Sequence, residues 1–273
     1  MTLTQINIYP IKSLAGIGLT IANAYEKGLE YDRRWMLIDE DNKFMTQRLL
    51  PELVLFKTQI IENNIVVFHK YSPENILKIP LNILNGNSFE VKIWGDIVTV
   101  IHYNLEADNW FKKILNIKCK LVFLPEKNTR FVDVNFAQNN EMVSLADGYP
   151  FLIIGENSLN NLNQKLNDKI LMNRFRPNFV FSGGEPFCED DWVNFSIGTA
   201  IFASVKPCAR CVVTTINQEN GIKEKEPLKT LATYRMINNK VNFGQNVLLK
   251  KLGTVAVGDE IILKQNSKIK TMK

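Results

Sequence analysis

The chain has 273 residues, 45% of them hydrophobic and 22% charged, and its 33 Lys and Arg against 28 Asp and Glu give a formal net charge of +5. Such a composition excludes a disordered or fibrous protein and accommodates one large domain or two modest ones. The positive excess is spread without a long basic tract, so no nucleic-acid partner is expected, while an internal site for a phosphorylated small molecule would need only a few placed cations.

In chain order, the opening MTLTQINIYPIKS lacks a basic leader, and no apolar run approaches the roughly 18 residues of a membrane span. A cytoplasmic protein with no membrane partner is expected. Period-two or continuous apolar patterns then predict strands at Gln5–Ile11, Leu53–Ile60, Asn64–Lys70 and Phe89–Ile101. A helix is predicted over Glu106–Leu115, with Trp110, Phe111, Ile114 and Leu115 on one side, and a strand at Lys118–Leu124 follows. The loop-like residues 125–145 mark the expected boundary between a region 1–125 and a region 126–273.

Beyond that boundary, Leu159, Leu162 and Leu166 fall at helical spacing and predict a helix over Ser158–Leu166 with Asn157 placed to cap it. Strands are predicted at Asn178–Ser182, Ala200–Val205, Cys211–Ile216 and Val255–Leu263, with a third helix starting at Pro227. The last ten residues, Lys264–Lys273, read as a solvated tail. The fold class that results is mainly β with a few helices, α+β, its strands suited to barrels or sandwiches.

Only His69 and His102 are available as imidazoles, and both fall in predicted strands, which argues against His-ligated zinc hydrolases and Ser-His-Asp triads. There is no P-loop and no Gly-x-Gly-x-x-Gly fingerprint, and Gly183-Gly184 reads as a turn. The four cysteines, Cys119, Cys188, Cys208 and Cys211, do not form a disulfide pattern and are expected to stay reduced. The pair in Cys208-Ala209-Arg210-Cys211 could be half of a zinc site, a redox dithiol, one metal ligand with a bystander, or two buried thiols without a role. A thiolate at a strand end beside Lys206 and Arg210 would suit a soft metal, with the cations favouring its ionised form.

A second group of residues is cationic and scattered: Lys12-Ser13, Asp32-Arg33-Arg34-Trp35 and Phe175-Arg176-Pro177-Asn178 each stand at the edge of an apolar run. They could be surface ion pairs. In a chain without a basic tract, three such points gathered from distant segments look more like anchors for an anionic ligand.

At these residues the chain resembles the MOSC family with its N-terminal β-barrel region. The resemblance is carried by Ile8-Tyr9-Pro10-Ile11-Lys12-Ser13, Tyr31-Asp32-Arg33-Arg34-Trp35, Phe175-Arg176-Pro177-Asn178 and Lys206-Pro207-Cys208-Ala209-Arg210-Cys211, and continues through Glu226-Pro227-Leu228-Lys229-Thr230-Leu231, Phe243-Gly244-Gln245-Asn246 and Gly258-Asp259. It implies an N-terminal β-barrel-like region followed by a MOSC β-barrel domain. It also implies a molybdenum cofactor (molybdopterin) and the reduction of small N-hydroxylated substrates such as hydroxylamines, amidoximes and N-hydroxylated bases, a detoxification chemistry. By resemblance Cys211 is the metal ligand and catalytic residue, and Lys12, Ser13, Arg33, Arg176 and Asn178 hold the pterin and its phosphate. Gly148, Tyr149 and Ala209 match further cofactor-contacting positions; Ala209 stands where relatives often carry serine, so only a backbone contact survives there.

The same resemblance leaves a second role open, a carrier of the cofactor or of sulfur without turnover of its own. A zinc or dithiol protein is the expectation outside the family. With Cys211 used for molybdenum, too few cysteines remain for an iron–sulfur cluster in this chain. Electrons are therefore expected from a separate donor of the ferredoxin or flavin reductase type.

Overall fold

The computed structural model describes residues 1–82 and 86–264. The expected tail from Gln265 onward lies outside them. The first half contains β1 (Thr2–Ile8), β2 (Ile17–Leu19), β3 (Ile21–Tyr25), β4 (Gly28–Leu29), β5 (Trp35–Ile38), β6 (Phe56–Ile61), β7 (Asn64–His69), β8 (Ser72–Pro80), β9 (Ser88–Ile93), β10 (Asp96–His102), α1 (Leu105–Leu115) and β11 (Lys120–Phe123). The second half contains β12 (Phe151–Gly155), α2 (Glu156–Asn163), β13 (Phe179–Ser182), β14 (Asn194–Ile197), β15 (Ala200–Ala209), α3 (Leu228–Ala232), β16 (Met236–Ile237), β17 (Lys240–Lys251), β18 (Gly253–Ala256) and β19 (Ile261–Lys264).

The mainly β, α+β class is what the chain adopts. The largest sheet runs β19-β14-β15-β17-β12-β13-β1-β2, so it draws strands from both ends of the chain. Smaller sheets are β5-β11-β10-β9, β6-β7-β8 and β18-β3-β4. None is closed into a barrel. In the largest sheet, β1 meets the approach to β19 through the isolated bridge Thr2↔Glu260 and through bonds from Leu3 N to Asp259 O, Gly258 N to Leu3 O and Ile261 N to Met1 O, a short junction and not a ladder. The expected barrels are thus open sheets among the described residues, since that junction does not extend into a ladder.

Phenylalanine rings fill the largest sheet's inner face, with Phe151 and Phe179 stacked at 5.7 Å and Phe202 edge-on to both at 5.3 Å. A second core under β6-β7-β8 buries Trp35, Phe56 and Phe111 completely. The helix α1 feeds that core as its spacing predicts, and Asn104 caps it by accepting from Ala107 N at 2.8 Å. Both histidines end strands, His69 in β7 and His102 in β10.

Four local expectations need correction. Phe89–Ile101 is a hairpin, because Trp94 takes a left-handed φ of 55° before Gly95 and turns the chain. Val255–Leu263 likewise divides, with Gly258 at a φ of 97° between β18 and β19. Helix α2 starts one residue after Gly155, with no side-chain cap, and Asn157 instead donates to Gly184 O at 2.7 Å.

The fourth correction matters most for the site. Cys211–Ile216 is not a strand: residues Val212–Thr215 form a 3-10 turn with Cys211 at its start. Thr214 Oγ1 donates to Cys211 O at 3.0 Å and Thr215 Oγ1 to Val212 O at 2.8 Å. These side-chain bonds to carbonyls three residues back favour the tight turn over the β conformation that Val and Thr otherwise prefer.

The long strand β17 has no counterpart in the apolar pattern. Its middle carries buried Asn242 and Gln245, and Gly244 sits at a φ of 77° where a Cβ would lie 2.6 Å from Ile154 Cγ1. Its partner β15 pairs with it irregularly, the register shifting between Ser204 and Lys206 and again between Pro207 and Ala209. Proline cannot donate to a ladder, so the irregularity between Pro207 and Ala209 is where Pro207 is tolerated. These shifts set the side chains from Lys206 to Cys211 at the end of the sheet. Among the described residues no helix is long and apolar enough to cross a membrane.

Candidate functional site

A cavity of about 360 Å³ is lined by Lys12, Ser13, Arg33, Gly148, Tyr149, Arg176, Asn178, Ala209 and Cys211, which are all the residues the resemblance implies for the cofactor, and by Lys206, Cys208 and Arg210; Arg34 is not among its lining residues, whereas Arg48, Asp147 and Arg174, which the sequence did not suggest, are. The volume is within the usual range for a small-molecule site. Seven of the lining residues are Lys or Arg (Lys12, Arg33, Arg48, Arg174, Arg176, Lys206, Arg210) and one, Asp147, is a carboxylate. So strong an imbalance at a concave wall favours an anionic guest.

The floor is organised by Asp32, which is fully buried. Its carboxylate accepts from Tyr9 N at 2.7 Å, Arg33 Nη1 at 2.6 Å and Asn178 Nδ2 at 3.1 Å. Asn178 also donates to Asn7 O, while its Oδ1 accepts from Arg33 Nη1 and Leu152 N, both at 3.2 Å. Its polar atoms are therefore engaged by protein partners, and its effect on a ligand passes through Arg33. The Arg33 and Arg176 guanidinium carbons lie 4.3 and 4.2 Å from the Tyr9 ring centroid, so one aromatic ring sets two cations side by side. Arg176 Nη1 donates to Leu14 O at 2.7 Å, and burial brings its pKa down to about 10.

Backbone strain collects at the same place. Ser13, Arg33 and Arg176 have φ of 72°, 48° and 54°, a left-handed conformation that costs a side-chain-bearing residue about 1–3 kcal/mol and persists only where its surroundings enforce it. Ser13 is held by its own Oγ bond to Met45 O at 3.3 Å and by Gln47 Nε2, which donates to Ser13 O at 2.6 Å.

On the next wall Lys12 Nζ, nearly buried, donates to Leu145 O at 2.8 Å and Asp147 Oδ1 at 2.6 Å. Burial depresses the Lys12 pKa, and Asp147 works against that. For Asp147 burial raises the pKa, but the charge and hydrogen bond of Lys12, with Arg48 behind them, outweigh it and hold the group well below the ordinary carboxylate range. The buried Arg130 braces this segment by donating to the carbonyls of Ser144, Ala146 and Asp147. Since the folded-state pKa of Asp147 lies below the usual ~3.9, its stabilising contribution is present above that value and lost as pH falls through the folded one. Asp147→Asn should therefore be less stable than wild type in urea at pH 7, the gap narrowing below about pH 4; a gap that widens in acid would contradict this.

The two cysteines of the C-x-x-C differ in setting. Cys208, the last residue but one of β15, packs against the cluster of Ile154, Phe175 and Phe243, and burial raises its pKa. Cys211 starts the 3-10 turn, and Arg48 Nη2 approaches its Sγ at 3.4 Å. The cation at Cys211 is thus Arg48, from a distant segment. Arg210 instead bonds Phe243 O at 2.8 Å and Phe175 O at 3.1 Å. Cys119 and Cys188 lie elsewhere, their thiols pushed up by burial to about 12 and about 11. Among the described residues no three His, Cys, Asp or Glu side chains are grouped to hold a metal ion, which disfavours a protein-only zinc centre.

The lining suits an anionic guest such as a phosphorylated group. Among the described residues Arg176, Arg210 and Lys206 line the cavity without an ion pair, whereas Lys12, Arg33, Arg48 and Arg174 have one. Buried donors without partners remain at Arg210 Nη2, Arg174 Nη1 and Tyr149 Oη. At Gly148 a Cβ would meet no atom within 4 Å, so glycine keeps that space free. Cys211 places a sulfur, a soft-metal donor, on the same wall.

Comparison with known proteins follows the same outline. The family model described as MOSC domain matches residues 140–262, and that described as MOSC N-terminal beta barrel domain matches residues 1–118. Mitochondrial amidoxime-reducing component 1 of Mus musculus is 31% identical over 96% of this chain and 82% of its own. Molybdenum cofactor sulfurase of Oryza sativa subsp. japonica is 32% identical over 89% of this chain, which spans 32% of that longer protein. Among solved structures, that of the YuaD protein from Bacillus subtilis aligns over 96% of this chain and 94% of its own with 11% identity and a TM-score of 0.40.

Proposed function

We propose, from the premise that this chain belongs to the MOSC family with its N-terminal beta barrel domain, that it is a molybdenum-cofactor-dependent reductase of N-hydroxylated compounds. A role linked to the molybdenum cofactor follows from the family and from relatives named as amidoxime-reducing components and molybdenum cofactor sulfurases. The finer reading rests on one observation: a single cavity is lined both by the Cys211 thiol and by three cations that lack an ion pair.

In this reading Arg176 and Arg33, fixed side by side over Tyr9, hold the phosphate of the pterin, and Lys12 and Ser13 close that end. Asn178 keeps Arg33 in place. Gly148, Tyr149 and the backbone of Ala209 border the pterin, and Cys211 is the metal ligand and catalytic residue. When bound, the cofactor would supply the two electrons that, with two protons drawn from solvent, turn an N–OH group into N–H and water. Asp147, held ionised by Lys12, is an acceptor for a substrate N–H or O–H at the cavity wall and not a proton source near neutrality. Electrons come from a separate ferredoxin- or flavin-reductase-type protein, and the division into residues 1–125 and 126–273 and a cytoplasmic setting belong to the same proposal.

The test is turnover of a hydroxylamine by protein purified from a host that makes the cofactor, with reduced methyl viologen as donor. Many turnovers per molybdenum are expected; none, with the metal bound, would favour a carrier of cofactor or sulfur instead. Arg176→Ala should weaken pterin retention about ten- to hundredfold, the weight of one charge-assisted hydrogen bond. Unchanged retention would remove Arg176 from the site.

A further inference from the structure

We propose that Arg48 is a positioning residue for the metal ligand, a fixed donor to Cys211 Sγ that raises the electron affinity of the metal that sulfur holds. The inference rests on Cys211 being that ligand. The two residues are 163 positions apart in the chain, and Nη2 of Arg48 stands 3.4 Å from the sulfur.

Two contacts, beside Cys211 itself, hold the guanidinium there. Its carbon lies 4.5 Å from the centroid of the Trp94 ring and it reaches Asp147 Oδ2 at 3.6 Å, while Trp94 is itself edge-on to Phe44 at 5.1 Å. The strained φ of 55° at Trp94 places that ring at the tip of the β9–β10 hairpin, where Arg48 can lie on it. Neutralising Asp147 does not account for Arg48, since Lys12 already pairs with the same carboxylate at 2.6 Å, a full ångström closer. What Arg48 adds is a cationic donor at the Cys211 sulfur.

A planar guanidinium stacked on an aromatic ring loses little freedom when it donates, so the bond is held in place before any electron arrives. Donation to a ligating sulfur withdraws electron density and favours the reduced, more negative centre. Sequence inspection passes over Arg48 because Met45-Thr46-Gln47-Arg48 carries no recognisable spacing, and its meeting with Cys211 depends on the tertiary fold.

The experiment is a redox titration of the molybdenum electron paramagnetic resonance signal in wild type, Arg48→Lys and Arg48→Met, with molybdenum content measured on the same samples. All three should retain molybdenum. Arg48→Met should need a lower potential, by about a tenfold change in the oxidised-to-reduced ratio, which is 59 mV for a one-electron couple, and Arg48→Lys should fall between. Should Arg48→Met alone lose its metal, Arg48→Lys decides by the same shift. Equal potentials, or loss of molybdenum from both variants, overturns the role of Arg48. A wild-type protein without molybdenum overturns the reading of Cys211 beneath it, and so separates the two failures.

Discussion

Cys211→Ala is expected to give a folded protein whose reduction of a hydroxylamine falls by about a hundredfold or more, beyond what loss of an outer partner of a metal site costs. Cys211 is only half-buried, and its Sγ touches Arg48 rather than the core. Removing the sulfur therefore opens no large cavity, and the fold should tolerate it. The turn that follows is held by the backbone carbonyl of Cys211, accepting from Thr214, which alanine also provides. Cys208→Ala is the control: Cys208 packs in an apolar cluster, so its loss should cost some stability while turnover persists. If the two variants exchange these phenotypes, the ligand is Cys208. The checks are initial rates with a chemical donor and the melting temperature of each variant.

The largest effect on the fold is expected at Asp32. This carboxylate has no solvent exposure and serves Tyr9 N, Arg33 and Asn178 at once. Asp32→Ala leaves the Arg33 guanidinium without its counter-charge and strands a backbone N–H and a carboxamide. Breaking a buried pair in this way costs about 3–5 kcal/mol, a large part of a domain's stability. Because much of the loss is the burden of a lone buried charge, the double variant Asp32→Ala with Arg33→Ala should be less damaged than the sum of its parts. Equilibrium urea unfolding measures both. A loss below about 1 kcal/mol in the single variant would mean that the network does not hold the site floor.

Asp32 also shows what a sequence can and cannot disclose. The short segments around Lys12, Arg33, Arg176 and Cys211 were legible because each is a cluster of unusual residues beside an apolar run, and their resemblance to one family tied them together. The tertiary fold brings all four to one cavity. What stayed hidden depends on contacts between residues far apart. Arg48 belongs to no spaced pattern, Asp147 looks like an ordinary turn acid before Gly148, and Arg130 falls in a stretch that reads as loop, yet all three brace or flank Cys211 and Lys12.

The fold follows the same division. Strands β6 and β7 are legible in their runs of apolar and β-branched residues, although Leu53–Leu55 ahead of β6 belong to a 3-10 turn, and α1 is legible in its apolar stripe. Strand β17 was missed because buried Gln245 satisfies itself on Asp190 at 2.9 Å, so a core position carries a polar residue. The segment after Cys211 was misread for the opposite reason. Its β-branched residues favour a strand, and the threonine hydroxyls override them by bonding back to the chain.

The central claim, that this cavity holds molybdenum through Cys211, is tested most directly by X-ray absorption at the molybdenum edge on wild type and Cys211→Ser. The wild-type spectrum should contain one more sulfur neighbour than that of Cys211→Ser. The same number of sulfur neighbours in both, or wild-type protein that carries no molybdenum after expression in a cofactor-producing host, would contradict it.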